Sequence, residues 1–325
     1  MKKIRLSTAL ICLLVIVSMS VFVSCAVKKS AQTVEAAPAA EAAPDARAVE
    51  ETAEYAGVKW AGIRVSSYGM KHSFGEDNFP SVDDMIGFSS KMEGLYPGST
   101  GAYILIVGTV SEKDWTCRLA FPTSKKIDLV KPQENDFYEP YLTAMDKAGY
   151  CVWLQVEPGN ADLVELAKEV MNRYKHHSCV KGFGIDVEWY KPEGTDGYGT
   201  KLSEEVAADV LEAVRAVNPD YTVFVKHWDG AWLPDMEEGF IYVNDSQQFR
   251  SLKQMQDEFS SWAFLFEPNP VMFQIGYDAD RVVWGKMDNP ALELGSALVS
   301  ECDFGNDIGI IWVDFTLDDA MERID

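Results

Sequence analysis

Positively charged residues are scarce in this sequence, and their scarcity argues against negatively charged binding partners. The chain has 325 residues, with 29 Lys and Arg against 51 Asp and Glu, so its formal net charge is −22. A chain this acidic repels the phosphates of nucleic acids and the headgroups of anionic lipids. We therefore expect the folded part to bind neither of them. The acidity also keeps an exported protein soluble, and this is the simpler explanation for it.

Cysteine is also sparse, and the six cysteines show no CxxC spacing, so a zinc or redox site is not expected. Cys151 and Cys179 lie on neighbouring predicted strands and are a candidate disulfide pair; buried free thiols are the alternative. No set of His, Asp and Glu has metal-ligand spacing. The pair His176–His177 is expected to form the solvated end of a helix. We expect no metal and no cofactor.

Long apolar runs are absent except at the N-terminus. Lys2, Lys3 and Arg5 precede an apolar run that ends just before Cys25. This order predicts an export signal over residues 1–25. It resembles a bacterial lipoprotein signal, which implies that Cys25 becomes the lipidated N-terminus. A plain signal peptide or an uncleaved anchor is the alternative.

The segment that follows has few residues that could build a core. Residues 26–55 are rich in Ala, Pro and Glu, which predicts a flexible tether. Residues 56–325 have the length of one large domain. We expect an exported monomer, held at a membrane through its lipidated N-terminus, in the periplasm or at the cell surface.

Eight apolar runs of strand length alternate with helix-like segments along this domain. Most runs are continuously apolar, which is typical of parallel strands covered on both faces. They are 58–66, 102–110, 150–156, 180–189, 221–228, 240–244, 271–277 and 308–315. The alternation predicts a (β/α)8 barrel. A doubly wound open sheet is the rival, but it usually carries a glycine-rich turn after the first strand, and none follows residue 66.

Polar side chains occur at the carboxyl ends of most of these strands, where barrel enzymes have their active sites. They are Gln155, Glu157, Asp186, Glu188, Tyr190, Lys226, His227, Trp228, Asp229, Asn244, Asp245, Gln274, Tyr277, Asp278, Trp312 and Asp314. Packing alone does not explain a polar end that recurs on six strands. The repetition predicts a polar site at this end of the barrel.

The fourth run, "VKGFGIDVEW", holds two acids among apolar residues. Side chains alternate along a strand, so one face is expected to pack under the helices, with Phe183, Ile185, Val187 and Trp189. The other face is expected to point into the barrel mouth, with Gly184, Asp186, Glu188 and Tyr190. Two neighbouring carboxyls can cleave a glycosidic bond, and their repulsion raises the pKa of one. The alternative is that each acid pairs with a buried base such as Lys226 or Arg64.

The stretches "GIDVEWY" and "IGIIWVDF" together resemble the family-18 glycoside hydrolases, whose fourth strand carries D-G-x-D-x-D-x-E. On this pattern Gly184 and Asp186 match, and Trp312 matches a tryptophan that floors the sugar subsite. Phe183 replaces the first Asp, and Tyr190 replaces the catalytic Glu. The family uses the acetamido group of its substrate as nucleophile and the Glu as acid.

Sliding the frame by two residues instead makes Asp186 and Glu188 the catalytic pair. The resemblance then implies a glycan site with Glu188 as the acid, Asp186 as its helper and Glu157 as a reserve carboxylate. A tryptophan-rich loop, "HWDGAW" at 227–232, independently favours a sugar site, because aromatic rings offer flat apolar faces.

The sequence therefore predicts a glycoside hydrolase with a carbohydrate substrate. The expected substrate-binding residues are Tyr190, His227, Trp228, Trp232, Asp245, Tyr277, Asp278, Trp312 and Asp314. Two alternatives remain open at this point. One is a catalytically inactive barrel that binds glycans, and the other is a structural or adhesive lipoprotein whose acids are buried ion pairs.

Overall fold

A computed structural model describes residues 57–76, 78–302 and 304–324. The predicted signal, tether and lipidation site at Cys25 lie outside the described residues. Ten strands run through the described part in chain order. They are β1 (Val58–Val65), β2 (Thr100–Ser111), β3 (Thr116–Leu119), β4 (Val130–Pro132), β5 (Cys151–Val156), β6 (Val180–Asp186), β7 (Thr222–Lys226), β8 (Phe240–Asn244), β9 (Val271–Ile275) and β10 (Ile308–Trp312).

Eight of these strands form a closed parallel barrel in the described part of the chain, which confirms the predicted fold class. Each barrel strand pairs in parallel with the next along the chain, from β2 and β5 through to β10. β1 pairs in parallel with both β2 and β10, and this closes the sheet. Two short strands, β3 and β4, were not predicted. β3 pairs antiparallel with the end of β2, and β4 pairs with β3 outside the barrel.

Nine helices surround the barrel within the described residues. They are α1 (Ser67–Phe74), α2 (Val82–Leu95), α3 (Glu139–Ala148), α4 (Leu163–Tyr174), α5 (Glu204–Arg215), α6 (Leu252–Leu265), α7 (Arg281–Trp284), α8 (Pro290–Val299) and α9 (Leu317–Glu322). Side chains that accept hydrogen bonds from free N–H groups fix several helix starts. Ser81 caps α2 within a capping box and Ser203 caps α5. α3 ends at Gly149, whose φ of 76° is left-handed.

Two apolar clusters hold the barrel together. The larger one packs the outer faces of the strands against the helices. The smaller one fills the barrel interior with residues that all come from strands, among them Trp60, Trp153 and Phe224. Gly184 has a packing role here, because a Cβ on it would lie 2.1 Å from the ring of Phe224. The interior is therefore filled at this level, and open space is left at the carboxyl ends of the strands.

Two further observations concern the membrane and the cysteines. None of the helices in the described residues is both long and apolar enough to span a bilayer. Cys151 and Cys179 are free thiols, as are Cys117 and Cys302. The free-thiol alternative is therefore the correct one for the candidate pair.

Candidate active site

The carboxyl ends of the barrel strands open onto a cleft of about 510 Å³. Its walls come from residues at or just after the ends of most barrel strands. Its polar and aromatic lining residues are Arg64, Ser67, Tyr68, Thr109, Glu112, Glu157, Asp186, Glu188, Trp189, Lys226, Asp245, Gln247, Tyr277 and Phe315. The cleft lies where a (β/α)8 barrel positions its active site.

A buried lysine forms the floor of this cleft. Nζ of Lys226 lies 3.0 Å from Oδ2 of Asp186 and also contacts Oδ2 of Asp245. Asp186 Oδ2 accepts a second hydrogen bond, from Gln155 Nε2 at 3.1 Å. Burial acts to lower the pKa of Lys226, but the two carboxylates outweigh burial and hold this pKa well above its ordinary value. Lys226 is therefore a charged structural cation, and the pairing of Asp186 with a buried base, one of the alternatives from the sequence, is what the structure contains.

A second buried ion pair supports the opposite wall. The guanidinium of Arg64 lies 3.1 Å from Oδ1 of Asp314. Oδ2 of Asp314 accepts hydrogen bonds from the backbone N–H and the hydroxyl of Ser66. The same guanidinium lies 4.8 Å from the centre of the Phe315 ring, within cation–π range. Asp314 therefore holds Arg64 in place. It does not line the cleft, so its predicted contact with substrate is wrong.

Glu157 is held as an acceptor on both of its oxygens. The hydroxyl of Tyr68 donates to Oε1 at 2.7 Å, and the backbone N–H of Val110 donates to Oε2 at 3.0 Å. Burial raises the pKa of Glu157, while both donors act to lower it. Because donors favour the ionised form, the geometry suits Glu157 to act as a carboxylate.

Glu188 differs from the other acids of the cleft. Its half-buried side chain forms neither a hydrogen bond nor an ion pair with any part of the chain that the structure describes. Burial raises the pKa of Glu188, and the carboxylates of Asp245 and Glu157 add to this, while Lys226 opposes it. A carboxyl with no donors and an elevated pKa is suited to hold a proton.

The predicted faces hold as far as Glu188, since Val187 packs on the helix side and Glu188 lines the cleft, but the strand itself is shorter than predicted. β6 ends at Asp186, and a 3-10 turn follows over Val187–Trp189. The turn carries Trp189 into the cleft lining, although alternation predicted the helix side. Tyr190 is 6% exposed and packs in the core, so its assignment to the mouth is wrong. Its N–H donates to the carbonyl of Val187 at 3.0 Å, and this bond closes the turn.

Trp312 also lies away from the cleft, which corrects its assignment as a sugar platform. It is fully buried and packs edge-on against Trp284, with ring centres 5.4 Å apart. Its indole N–H donates to Oγ1 of Thr316 at 3.1 Å. Trp312 shares the helix-facing side of β10 with Ile310, while Ile311 between them faces the interior.

The tryptophan-rich loop lies beside the cleft. Trp228 lines an adjoining cavity of about 480 Å³, together with Tyr198. This cavity and the main cleft have three lining residues in common, Glu188, Asp245 and Gln247. The two cavities therefore adjoin along these shared residues, with aromatic rings in both parts.

His227 and Trp232 support this loop from behind. His227 Nδ1 accepts from the N–H of Asp229 at 2.8 Å, so its Nε2 donates to the carbonyl of Tyr198 at 2.9 Å. Burial lowers the pKa of His227 and favours this neutral form. Trp232 stacks on His227 at 13° and donates to the carbonyl of Gly199. Neither side chain lines either cavity, so the predicted contacts of both with substrate are wrong. Both side chains instead support the loop.

Tyr277 and Asp278 separate at the end of β9. Tyr277 lines the cleft, and its hydroxyl donates to Oε1 of Gln274 at 3.0 Å. Asp278 does not line the cleft; its side chain is exposed and pairs with Arg281 at 3.0 Å. The sequence analysis also missed Tyr68 and Phe315. Tyr68 lies at the start of α1, shortly after β1, and Phe315 lies in a 3-10 turn shortly after β10.

Comparison with known proteins identifies no family for this chain. No family model and no curated protein matches the chain. A solved FMN-binding beta-glucuronidase from Facaelibacterium prausnitzii L2-6 is similar, with TM-score 0.46 and 10% identity over 81% of this chain and 38% of that one. A beta-D-glucuronidase from Dictyoglomus thermophilum is also similar, with TM-score 0.44 and 13% identity over 79% of this chain and 44% of that one.

A third similar structure is the 7,8-dihydropteroate synthase from Vibrio fischeri ES114, with TM-score 0.40 and 10% identity over 83% of this chain and 92% of that one. This chain spans less than half the length of the two glucuronidases. The resemblance to family 18 gains no support from these matches.

Proposed function

We propose that this barrel is a glycoside hydrolase in which Glu188 is the general acid and Glu157 is the second catalytic carboxylate. The observation that carries the proposal is the contrast between the two side chains. Glu157 accepts two hydrogen bonds that favour its ionised form, whereas Glu188 has none among the described residues; burial raises the pKa of both carboxyls. Two carboxyls of opposite protonation state across one cleft are what glycosidic hydrolysis requires.

The proposed reaction uses both groups in one cycle. Glu188 donates its proton to the glycosidic oxygen as the bond between that oxygen and the anomeric carbon breaks. Glu157 either attacks the anomeric carbon or takes a proton from the water that attacks it. The anomeric configuration of the product distinguishes the two routes. Asp186, expected to assist directly, acts in this proposal by holding Lys226.

The aromatic lining supports a glycan as the substrate. Tyr68, Trp189 and Phe315 line the main cleft, and Tyr198 and Trp228 line the adjoining cavity. Aromatic rings pack against the flat C–H faces of sugars, and the polar groups between them can bond hydroxyls. Two adjoining cavities suit a substrate longer than one sugar. Export and anchoring through lipidated Cys25 belong to the same proposal, and they place the substrate outside the cytoplasm.

The test is turnover by the full-length chain, purified in detergent micelles, on a panel of oligosaccharides that includes N-acetylglucosamine polymers and N-glycans. Release of reducing ends is measured for wild type, Glu188→Gln, Glu157→Gln and Glu212→Gln. The last variant changes an exposed glutamate on α5 and serves as the control. Loss of a general acid lowers turnover by about 10²- to 10⁴-fold. A Glu188→Gln chain with undiminished turnover would overturn the assignment.

A second candidate is a barrel that binds glycans without cleaving them. It is favoured by the ion pairs that occupy Asp186, Asp245 and Asp314, since these acids are then structural. Calorimetry on the same panel separates the candidates. Binding by the wild type with no release of reducing ends supports the second and rejects the first.

A further inference from the structure

A cluster of metal-ligating side chains lies outside the cleft, on the opposite side of the barrel. It is formed by Glu139, at the start of α3, and by His176 and His177, which follow α4 and precede β6. The cleft lies at the carboxyl ends of the strands, whereas these histidines lie just before a strand begins. The histidine pair was expected to be solvated, and this is wrong for His177, which is 4% exposed.

Three ligand atoms converge at this cluster. Oε1 of Glu139 lies 2.8 Å from Nε2 of His176 and 3.3 Å from Nε2 of His177. Zinc binds imidazole nitrogen and carboxylate oxygen at about 2.0–2.2 Å, so neighbouring ligand atoms in a tetrahedral site are separated by about 3.3 Å. The two separations from Oε1 lie within about 0.5 Å of that value, and all three ligand atoms lie within 4.8 Å of one another. One ion would therefore reach all three atoms with little movement of the side chains.

Asp146 holds the imidazole ring of His177 at Nδ1, so that Nε2 faces the cluster and could bind an ion. Nδ1 of His177 lies 2.7 Å from Oδ2 of Asp146. The other oxygen of Asp146 accepts hydrogen bonds from the N–H of Cys179 at 2.8 Å and the hydroxyl of Ser178 at 3.2 Å. The contact at Nδ1 therefore fixes the orientation of the imidazole ring and turns Nε2 towards Glu139. A carboxylate that orients a ligating histidine in this way is common around zinc.

Two buried atoms of the cluster lack a hydrogen-bond partner in the described part of the chain. They are Nε2 of His177 and Oε2 of Glu139. His177 Nε2 has only the 3.3 Å contact with Glu139 Oε1, and a bound cation would satisfy both atoms, as buried polar atoms normally are. In the described residues no Lys or Arg pairs with Glu139 or Asp146. Two carboxylates therefore face two histidines, and a divalent ion would balance their charge.

Solvent can reach the cluster. His176 and His177 line a cavity of about 350 Å³, which gives an ion a path of entry and room for a water as fourth ligand. Lys175 and Lys181 line the same cavity and oppose a cation. Their ammonium groups are engaged elsewhere, with Asn172 Oδ1 and the carbonyl of Ser178.

We propose that Glu139, His176 and His177 form a binding site for one divalent zinc-class ion, oriented by Asp146. Nitrogen and carboxylate ligands in this number suit Zn²⁺. An ion here would join the start of α3 to the segment that leads into β6. The site would therefore stabilise the fold and take no part in the reaction at the cleft.

The test is calorimetric titration of ZnCl₂ into the full-length chain in detergent micelles, prepared without a histidine tag and stripped with chelator. One Zn²⁺ per chain is expected to bind, and the melting temperature is expected to rise with Zn²⁺ concentration. His176→Gln is the informative variant, because its side chain is 52% exposed and its loss leaves the core intact. It is expected to weaken binding by about tenfold or more.

His72→Gln is the matched control, since His72 is an exposed histidine on α1, away from the cluster. It is expected to bind Zn²⁺ as the wild type does. Replacement of Zn²⁺ by Co²⁺ gives a second readout, because tetrahedral Co²⁺ absorbs strongly in the visible range. The proposal is overturned if wild type binds no Zn²⁺, or if His176→Gln binds it as tightly and gives the same Co²⁺ spectrum.

Discussion

Nζ of Lys226 lies 3.0 Å from Oδ2 of Asp186 at the floor of the cleft, and both side chains are almost entirely buried. This contact explains how an apolar strand such as β6 can end in an acid. Burying a lone carboxylate is very costly, and a charged partner with further hydrogen bonds offsets that cost. Lys226 also contacts Asp245, so one cation serves acids from two strands.

The first prediction follows from this shared cation. Lys226→Met leaves two buried carboxylates without their partner, and we expect it to lower the free energy of unfolding by about 3–5 kcal/mol. Urea denaturation measures the change. Lys253→Met is the matched control, because Lys253 pairs with Asp257 on the exposed face of α6, where solvent screening leaves such pairs with little effect on stability. Equal losses in the two variants would contradict a structural role for Lys226.

The barrel was predictable because its signal is repeated. Eight recurring apolar runs specify eight buried strands. An error in the bounds of one run does not change the predicted fold, because the other seven still indicate it. The short strand β3 and the helix α1 were missed for the same reason, since neither belongs to the repeat. The caps Ser81 and Ser203 each act over three residues, a range that a sequence displays directly.

The site was predictable only in part, because its geometry depends on contacts across the barrel. Alternation correctly sent Asp186 inward, but it failed at Tyr190 because the backbone leaves the strand for a 3-10 turn. The inward face of β10 is set by its register with β9 and β1, which the sequence does not state, and so Trp312 was assigned wrongly. The partner of Glu157 could not be read either, since Tyr68 is 89 residues away.

The second prediction concerns Tyr68, whose hydroxyl stabilises the ionised form of Glu157. Tyr68→Phe removes this donor, so the pKa of Glu157 is expected to rise further. Under the proposed mechanism Glu157 must be ionised, and the acidic limb of the kcat/KM profile should move up by about one pH unit. Tyr141→Phe is the control, because that hydroxyl bonds the carbonyl of Pro80 away from the cleft. An unmoved acidic limb would exclude Glu157 as the group that sets it.

The third prediction concerns Asp280, a buried acid outside the cleft. Burial raises the pKa of Asp280 to about 6, although its Oδ1 accepts from the N–H of Phe249 at 2.7 Å. An unfolded Asp titrates near 3.9, so between about pH 4 and 6 the folded state binds more protons. Stability linked to this group is therefore present at low pH and is lost as pH rises through that window.

Asp280→Asn keeps the acceptor for Phe249 and cannot ionise. Its stability relative to wild type is expected to rise by on the order of 1–2 kcal/mol between pH 4 and pH 7. Urea denaturation at the two pH values gives this difference. Asp209→Asn, on the exposed side of α5, controls for the loss of one negative charge. A relative stability of Asp280→Asn that stays constant with pH would rule out this linkage.

The fourth prediction separates two tryptophans of one loop. Trp228 lines the cavity beside the cleft, whereas Trp232 lies behind it, stacked on His227. Trp228→Ala removes a ring that could pack against a sugar, and we expect it to weaken oligosaccharide binding by about tenfold with little change in melting temperature. Trp232→Ala removes packing and the hydrogen bond to Gly199, so its main effect should be a lower melting temperature.

Oligosaccharide binding and melting temperature, measured together, distinguish a loss of sugar contact from a loss of packing. Calorimetry with a long and a short oligosaccharide, together with a thermal melt, gives three values for each variant. If Trp228 contacts a distal sugar, its loss weakens binding of the long ligand more than the short one, because only the long ligand extends from the cleft into the adjoining cavity. Equal effects on both ligands would mean that the second cavity is not part of the binding groove, even if Glu188 is the catalytic acid.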